Sequence, residues 1–405
     1  MRSRRYRRIA SLASATAVAA LAVLPINAAF AADPVRMGAP VALTGALADE
    51  GHKLLHGYEM CVDAVNAKGG VKVGNDMRKL EMVQYDYQSD TNTAVQLIQR
   101  MVTVDNVDFL MSPYNSGATK TAAVAAERYD TPMIASAAAT PSVFDQHFKN
   151  LYGILFPNSI ITDSEVAFYK ANAPGMKTVA VLAMNSLFPK AIAEQLKGAA
   201  QKAGLETVYD GIYSPGTLDF SNVLTEIKAK NPDWIYATGF VQDLALLRKQ
   251  MAGLGLTAKV VTMNAAAAYP EFVRNVGAPA NNVTSSAWWH PSVTYTDKFL
   301  FGGSAQYAAD FIKKYSDEPT YLEAAATASC EVYVQAIEDA GTTKHDDVRK
   351  VMSNKRFDTF YGPIKFNADG QNDVPAPVIL QIQDGKFKVL APESVKNGSL
   401  VVGVQ

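Results

Sequence analysis

The 405 residues, 48% of them hydrophobic and 19% charged, suffice for one large core or two ordinary ones, and the usual domain size favours two. A formal net charge of -1 lacks the lysine and arginine excess that a nucleic-acid surface needs, so no nucleic-acid partner is expected. Five scattered histidines, two cysteines and no C-x-x-C or H-x-x-x-H leave a metal site without a basis, and no cofactor is expected.

The chain opens as a targeting segment. "MRSRRYRR" is a basic n-region, "IASLASATAVAALAVL" is small and apolar, and "NAAFAAD" offers an A-x-A cleavage site at Ala29 and Ala31. Residues 1–32 are therefore assigned to a signal peptide. The paired arginines suit a twin-arginine route and an ordinary n-region alike. No cysteine follows the apolar stretch, so no lipid anchor is expected, and no later run approaches 18 apolar residues. The exported product is expected to be soluble.

Strand and helix patterns then alternate. "VRMGAPVAL" reads as a strand, "KLLHGYEMCVDAVNA" as an amphipathic helix, "LEMVQYDY" as a strand, "TNTAVQLIQRMV" as a helix and "VDFLM" as a buried strand. The series continues with helix "ATKTAAVAAERY", strand "PMIAS", strand "KTVAVLAM", helix "PKAIAEQLKGAAQKAG", strand "DWIYAT", helix "DLALLRKQMAGLG" and strand "KVVTM". Short apolar strands between helices of three or four turns imply an α/β chain with parallel sheets covered on both faces.

The alternation stumbles at "LYGILFPNSIITD" (151–163) and at "VTSSAWWHPSVTY" (283–295), where strand-like residues meet proline and polar residues without a helical pattern. These read as hinge crossings, the chain leaving one lobe near Phe156 and returning near His290. A cleft is then expected where strand carboxyl ends of the two lobes face each other. "FGGSAQ" (301–306) reads as a turn. Cys61 and Cys330 both sit in helical patterns; one disulfide and two buried thiols are equally compatible with the spacing.

Two strand ends carry candidate ligand-binding loops. "SPYNSG" places Ser116 as an N-cap, Thr119 at N3, and Gly117 where backbone can approach a ligand. "AAATPSVF" places Thr140 as an N-cap ahead of Pro141. Side by side, two such termini make a seat for a carboxylate or carbonyl oxygen.

"VRMGAPVALTGALADEGHKLLHGYEMCVDAVNAKGG", "SPYNSGAT", "PMIASAAATP", "EPTYLEAAATASCEVYVQAIEDAG" and "FYGPIKFNADGQ" follow one another as landmarks do in the branched-chain amino-acid and amide binding proteins of ABC importers. The chain resembles that family over nearly all of its mature length. The resemblance implies the type I periplasmic binding fold: two doubly wound parallel-sheet lobes joined by three crossovers around a flytrap-like cleft. It places lobe 1 at 33–155 and 290–376, and lobe 2 at 156–289 and 377–405. It also implies a periplasmic, monomeric solute-binding subunit with a small-molecule ligand and a membrane permease as partners.

Site residues carry over from the resemblance position by position. Ser116, the Ala138 amide and the Thr140 hydroxyl match the carboxylate seat. Phe188, Phe240 and Tyr321 match aromatic cleft positions, although core packing is the ordinary role of such phenylalanines. Asn264 matches the place of the acid that holds an amino acid's ammonium, so a carboxylate is expected to be missing there, which puts an ordinary branched-chain amino acid in doubt. Glu50 stands where relatives carry an aromatic, either as a substitute acid or as a solvated loop residue. Of Trp288 and Trp289, adjacent on an extended segment, at most one faces the cleft. Trp288 is the candidate, and with Tyr114 it completes an aromatic set suited to a branched or flat apolar body bearing an oxygen-rich end.

An enzyme is not expected. There is no G-x-S-x-G elbow, no P-loop and no G-x-G-x-x-G after a strand. A periplasmic ligand sensor on the same fold is the second reading, and a hydrolase the third.

Overall fold

The computed structural model describes residues 32–404; the signal segment assigned to 1–32 lies outside the described residues apart from Ala32. The first half runs β1 (Val35–Val41), α1 (Ala48–Ala67), a β2–β3 hairpin (Val71–Val73, Asp76–Arg78), β4 (Leu80–Asp86), α2 (Thr91–Thr103), β5 (Phe109–Met111), α3 (Ser116–Arg128), β6 (Met133–Ala135) and β7 (Leu151–Gly153). Its sheet has the order β4-β1-β5-β6-β7 and is parallel throughout.

The chain then crosses to α4 (Asn158–Asn172), β8 (Thr178–Met184), α5 (Leu187–Lys202), β9 (Glu206–Tyr213), α6 (Ser221–Lys230), β10 (Trp234–Thr238), α7 (Val241–Gly253), β11 (Val260–Asn264), α8 (Pro270–Val276) and β12 (Thr284–Ala287). After β12 it returns through the short β13–β14 pair (Thr296–Asp297, Gly302–Gly303) to α9 (Ser304–Tyr315), α10 (Tyr321–Ala340), α11 (His345–Asn354) and a β15–β16 hairpin (Arg356–Thr359, Gly362–Lys365). A third crossing delivers β17 (Val378–Gln383) and β18 (Lys386–Ala391), which pair antiparallel at the edge of the second sheet, β18-β17-β12-β11-β10-β8-β9. Strand order reverses between β1 and β5 in one sheet and between β8 and β10 in the other. Crevices open at the carboxyl ends of strands at such switch points.

The three crossings are laced together. Trp288 Nε1 donates to the Phe156 carbonyl at 2.9 Å, Gln371 Nε2 to that of Leu155 at 3.2 Å, and Asn372 Nδ2 to that of Ile154 at 2.9 Å. Each satisfies a buried carbonyl that has left the sheet ladder.

Helix α10 is buried on every side from Tyr321 to Ile337, as an all-round small and apolar helix must be. It lies against the face of α1 that carries Leu54, Tyr58, Cys61 and Val65. The contact is close enough that a Cβ on Gly57 would overlap the Glu323 carbonyl and the Ala326 methyl. Cys61 and Cys330 form a disulfide across it, Cα–Cα 6.1 Å, and no free cysteine is present among the described residues.

Three local readings change. The segment after Phe156 is no irregular linker, because α4 begins at Asn158 directly behind Pro157. Its buried face carries Asn158, Thr162 and Glu165, so polar residues masked the helical period. "FGGSAQ" holds β14 and the start of α9, with Gly303 ahead of the first turn. Strand β9 and helix α6, between "PKAIAEQLKGAAQKAG" and "DWIYAT", have no counterpart in the sequence reading, since β9 is a partly exposed edge strand without an apolar run.

The disulfide closes a loop spanning 269 positions, so removing it enlarges the denatured ensemble greatly. Replacing both Cys61 and Cys330 with Ser is expected to cost on the order of 3–5 kcal/mol in urea unfolding; an unchanged midpoint would contradict this.

Candidate functional site

A narrow cavity of about 20 Å³ lies between the two sheets. Tyr114, Asn115, Ala137 and Ala139 line it from the first half, Phe188, Phe240 and Ala265 from the second, Leu155 and Trp288 from the crossings, and Tyr321 with Leu322 from α10. Three wider concavities, one at the amino ends of β10 and β11, one beside the β15–β16 hairpin and one between His147–Tyr152 and α11, are open to solvent and lie away from these strand ends.

The oxygen seat is built differently from the expectation. Asn115, with φ 70°, is the N-cap of α3, its Oδ1 accepting from Ala118 N at 3.0 Å. Asn caps well, and its ψ of 159° puts this backbone in a region otherwise kept for glycine, a strain held at the mouth of the cavity. Ser116 is instead the first helical residue. Its fully buried Oγ lies 3.4 Å from the amides of Ala139 and Thr140, tying the α3 terminus to the neighbouring loop. The second terminus is a single turn, Pro141–Val143, rather than a second long helix. Thr140 is buried and its hydroxyl has no protein partner among the described residues. Ala138 packs into the cluster holding Val143 and Phe144, while Ala137 and Ala139 line the cavity.

The aromatic set converges from both halves. Tyr114 meets Phe240 across the cleft at a centroid distance of 5.8 Å; Trp288 lies 6.2 Å from Phe188 and 5.2 Å from Tyr321, and Tyr321 stacks on Tyr269 at 5.4 Å. Asp243 Oδ1 accepts from Phe240 N at 2.9 Å and so fixes the loop that carries this ring. Trp289 points the other way, into Tyr307 and Phe360.

Asn264 does not line the cavity. It ends β11 facing α4, its Nδ2 3.4 Å from Glu165 Oε1, which also accepts from Ser286 Oγ at 2.7 Å. Ala265, held at φ 71°, takes the place at the cavity. Glu165 thus brings a carboxyl from α4 behind this strand end, while no carboxylate is among the residues lining the cavity. Sequence reasoning missed Glu165 because α4 itself was unrecognised. Burial pushes the Glu165 carboxyl up to about 7. Asn158, Thr238 and one oxygen each of Glu165 and Asn264 are buried with no protein partner among the described residues, and none of the four residues lines the cavity.

Glu50 is neither a loop residue nor solvated. It lies in the first turn of α1, 2% exposed, and accepts from the Val241 amide on the second half at 3.5 Å. Burial raises it, too, to about 7. Burial, and next the Glu50 charge, hold the Tyr114 hydroxyl well above its ordinary range.

A family model described as periplasmic binding protein matches residues 34–386. The Leu/Ile/Val-binding protein of Citrobacter freundii is 26% identical over 350 residues, covering 85% of this chain and 89% of that protein. Leu/Ile/Val-binding protein homolog 2 of Brucella abortus is 27% identical over 379 residues, 88% and 93% of the two chains. Among solved structures, a leucine binding protein from Thermotoga maritima superimposes with a TM-score of 0.79 at 22% identity, covering 88% of this chain and 98% of the other. An ABC-transporter solute binding protein from R. palustris in complex with benzoate gives 0.75 at 18%, covering 88% and 96%. At these identities the structures show a shared fold.

The raised Glu165 sets a pH dependence. A carboxyl favoured in its neutral form by folding contributes stability fully present below its ordinary 4.5, and that contribution is lost as pH climbs through 7. Glu165→Gln, which keeps the acceptor for Ser286 and Asn264, is expected to match the parent near pH 4.5 and to exceed it at pH 8 by on the order of 3 kcal/mol. Melting curves at the two pH values measure this, and parallel pH profiles of the two proteins would exclude it.

Proposed function

Because the chain belongs to the periplasmic binding protein family, we propose that it is the solute-binding subunit of an ABC importer, exported by its signal segment to the periplasm. It captures a small amphipathic metabolite with a carboxylate or amide end, namely a branched-chain amino acid, an aromatic acid or an amide, and hands it to a membrane permease. The observation that carries this reading is the meeting, at one cavity, of the Tyr114–Asn115 and Ala137–Ala139 loops of one half, which Ser116 ties together, with Phe188 and Phe240 from the other. The Leu/Ile/Val-binding relatives and the benzoate-bound neighbour support both ends of that ligand range.

The lobes of this reading are 33–155 with 290–376, and 156–289 with 377–405. Ligand docks by its oxygen end on Ser116 and Thr140 while the lobes are apart. Lobe 2 then swings Phe188 and Phe240 over the apolar body, against Trp288, Tyr114 and Tyr321. Only the closed form makes both sets of contacts, so closure is coupled to binding. Nothing in the cleft is required to react with what it holds.

A thermal-shift screen with L-leucine, L-isoleucine, L-valine, benzoate and benzamide tests the class. A true ligand at a hundredfold excess over its dissociation constant adds about 2.7 kcal/mol and raises the midpoint by several degrees; no shift with any of the five would overturn the reading. For the ligand found, Ser116→Ala is expected to weaken binding by about tenfold or more, the worth of a hydrogen bond to a charged group. Calorimetric titration giving an unchanged dissociation constant would remove Ser116 from the seat.

A further inference from the structure

Two ion pairs join the halves outside the cavity. Helix α8, which follows the last residues of β11, carries Glu271 and Arg274 one turn apart. Glu271 Oε1 lies 3.1 Å from Lys53 Nζ on α1, and Arg274 lies 3.6 Å from Asp317, just ahead of α10. Lys53 and Asp317 belong to the half built on the first sheet. Lys53 is anchored on its own side by Glu323 at 3.3 Å, and its ammonium stands 5.6 Å from the Tyr269 ring. One turn earlier on α1, Glu50 takes the Val241 amide from the same opposite half.

The magnitudes separate the two pairs. Arg274 and Asp317 have side chains 56% and 45% exposed, so their attraction is screened and small. Lys53 and Glu271 are 8% and 20% exposed, and there the attraction is much less diluted. Burial by itself pulls the Lys53 pKa down, yet Glu323 and Glu271 together outweigh it and hold the ammonium protonated. Parting the halves removes Glu271 and lets water in, while Glu323 keeps Lys53 paired. Each side thus keeps a partner when the halves part, Lys53 in Glu323 and Glu271 in Arg274 at 2.8 Å on its own helix, and only the attraction between Lys53 and Glu271 depends on the halves being together. None of Lys53, Glu271, Glu323 and Arg274 lines the ligand cavity.

We propose that Glu271 on α8 and Lys53 on α1 form a closure clasp that acts independently of ligand: it sustains a closed population of the free protein and multiplies the affinity for every ligand by one common factor. The clasp rests on the hinged, two-lobed reading above and adds a device to it. A fraction of molecules already closed raises apparent affinity in proportion to that fraction, whatever the ligand contacts.

Pulsed electron-spin distance measurement on the full mature chain, with one label on each half and no ligand, tests the clasp. Glu271→Gln leaves Lys53 paired with Glu323 and touches a partly exposed residue, so the fold is retained. It is expected to cut the short-distance population about fivefold at low ionic strength, and about 1 M NaCl is expected to act on the parent in the same direction. Lys53→Gln is expected to follow Glu271→Gln. In titrations with L-leucine and benzoate, Glu271→Gln is expected to raise the dissociation constant of each bound ligand by the same factor. Identical distance distributions in Glu271→Gln and the parent, or losses that differ between ligands, would overturn the proposal. Failure of both ligands to bind would tell against the transport reading alone, because the distance distributions still decide the clasp.

Discussion

The cleft depends on how closely α10 lies on α1. Only glycine at position 57 permits that approach, because any Cβ there would run into the Glu323 carbonyl. The approach places Cys61 against Cys330 and sets where α10 begins. From that start, Tyr321 reaches the cavity and Glu323 reaches Lys53, while Thr320 accepts from Leu322 N as the helix cap. A side chain at 57 would push these three residues outward together, so one small residue governs both the wall of the cleft and the rim contact.

Burial governs the chemistry around the cavity. Aromatic rings from both halves exclude water, and in that environment carboxyls favour their neutral forms. Glu50 and Glu165 are both raised to about 7 by burial, though neither lines the cavity. Neither has a cation beside it among the described residues. The strained backbone at Ala265, φ 71°, sits where the second sheet gives way to this cavity, as such conformations often do at binding sites.

Apolar strands and regular helices were legible because their period records which face is buried. "VDFLM", "KTVAVLAM" and "DWIYAT" all lie in the parallel sheets, and the helices between them cover the faces. Helix α4 was not legible: its buried face mixes Asn158, Thr162 and Glu165 with Ile161, Val166 and Tyr169, and the polar three break the apolar period. Its loss from the reading hid Glu165 and made Asn264 look like an unsupported amide. Ser116 looked like a cap because serine usually is one; Asn115 competes for the same role and wins, which frees Ser116 to reach the amides of Ala139 and Thr140.

Local composition by itself determined the α/β class and the small hydroxyl-bearing loops at two strand ends, since periodicity and turn chemistry act over a few residues. Tertiary structure alone decided which polar groups meet. Glu165 stands behind Asn264 across 99 positions, Lys53 faces Glu271 across 218, and Cys61 joins Cys330 across 269. Hydrogen bonds and ion pairs act over about 3 Å in space, and a linear chain carries no local mark of which distant segment will arrive within that distance.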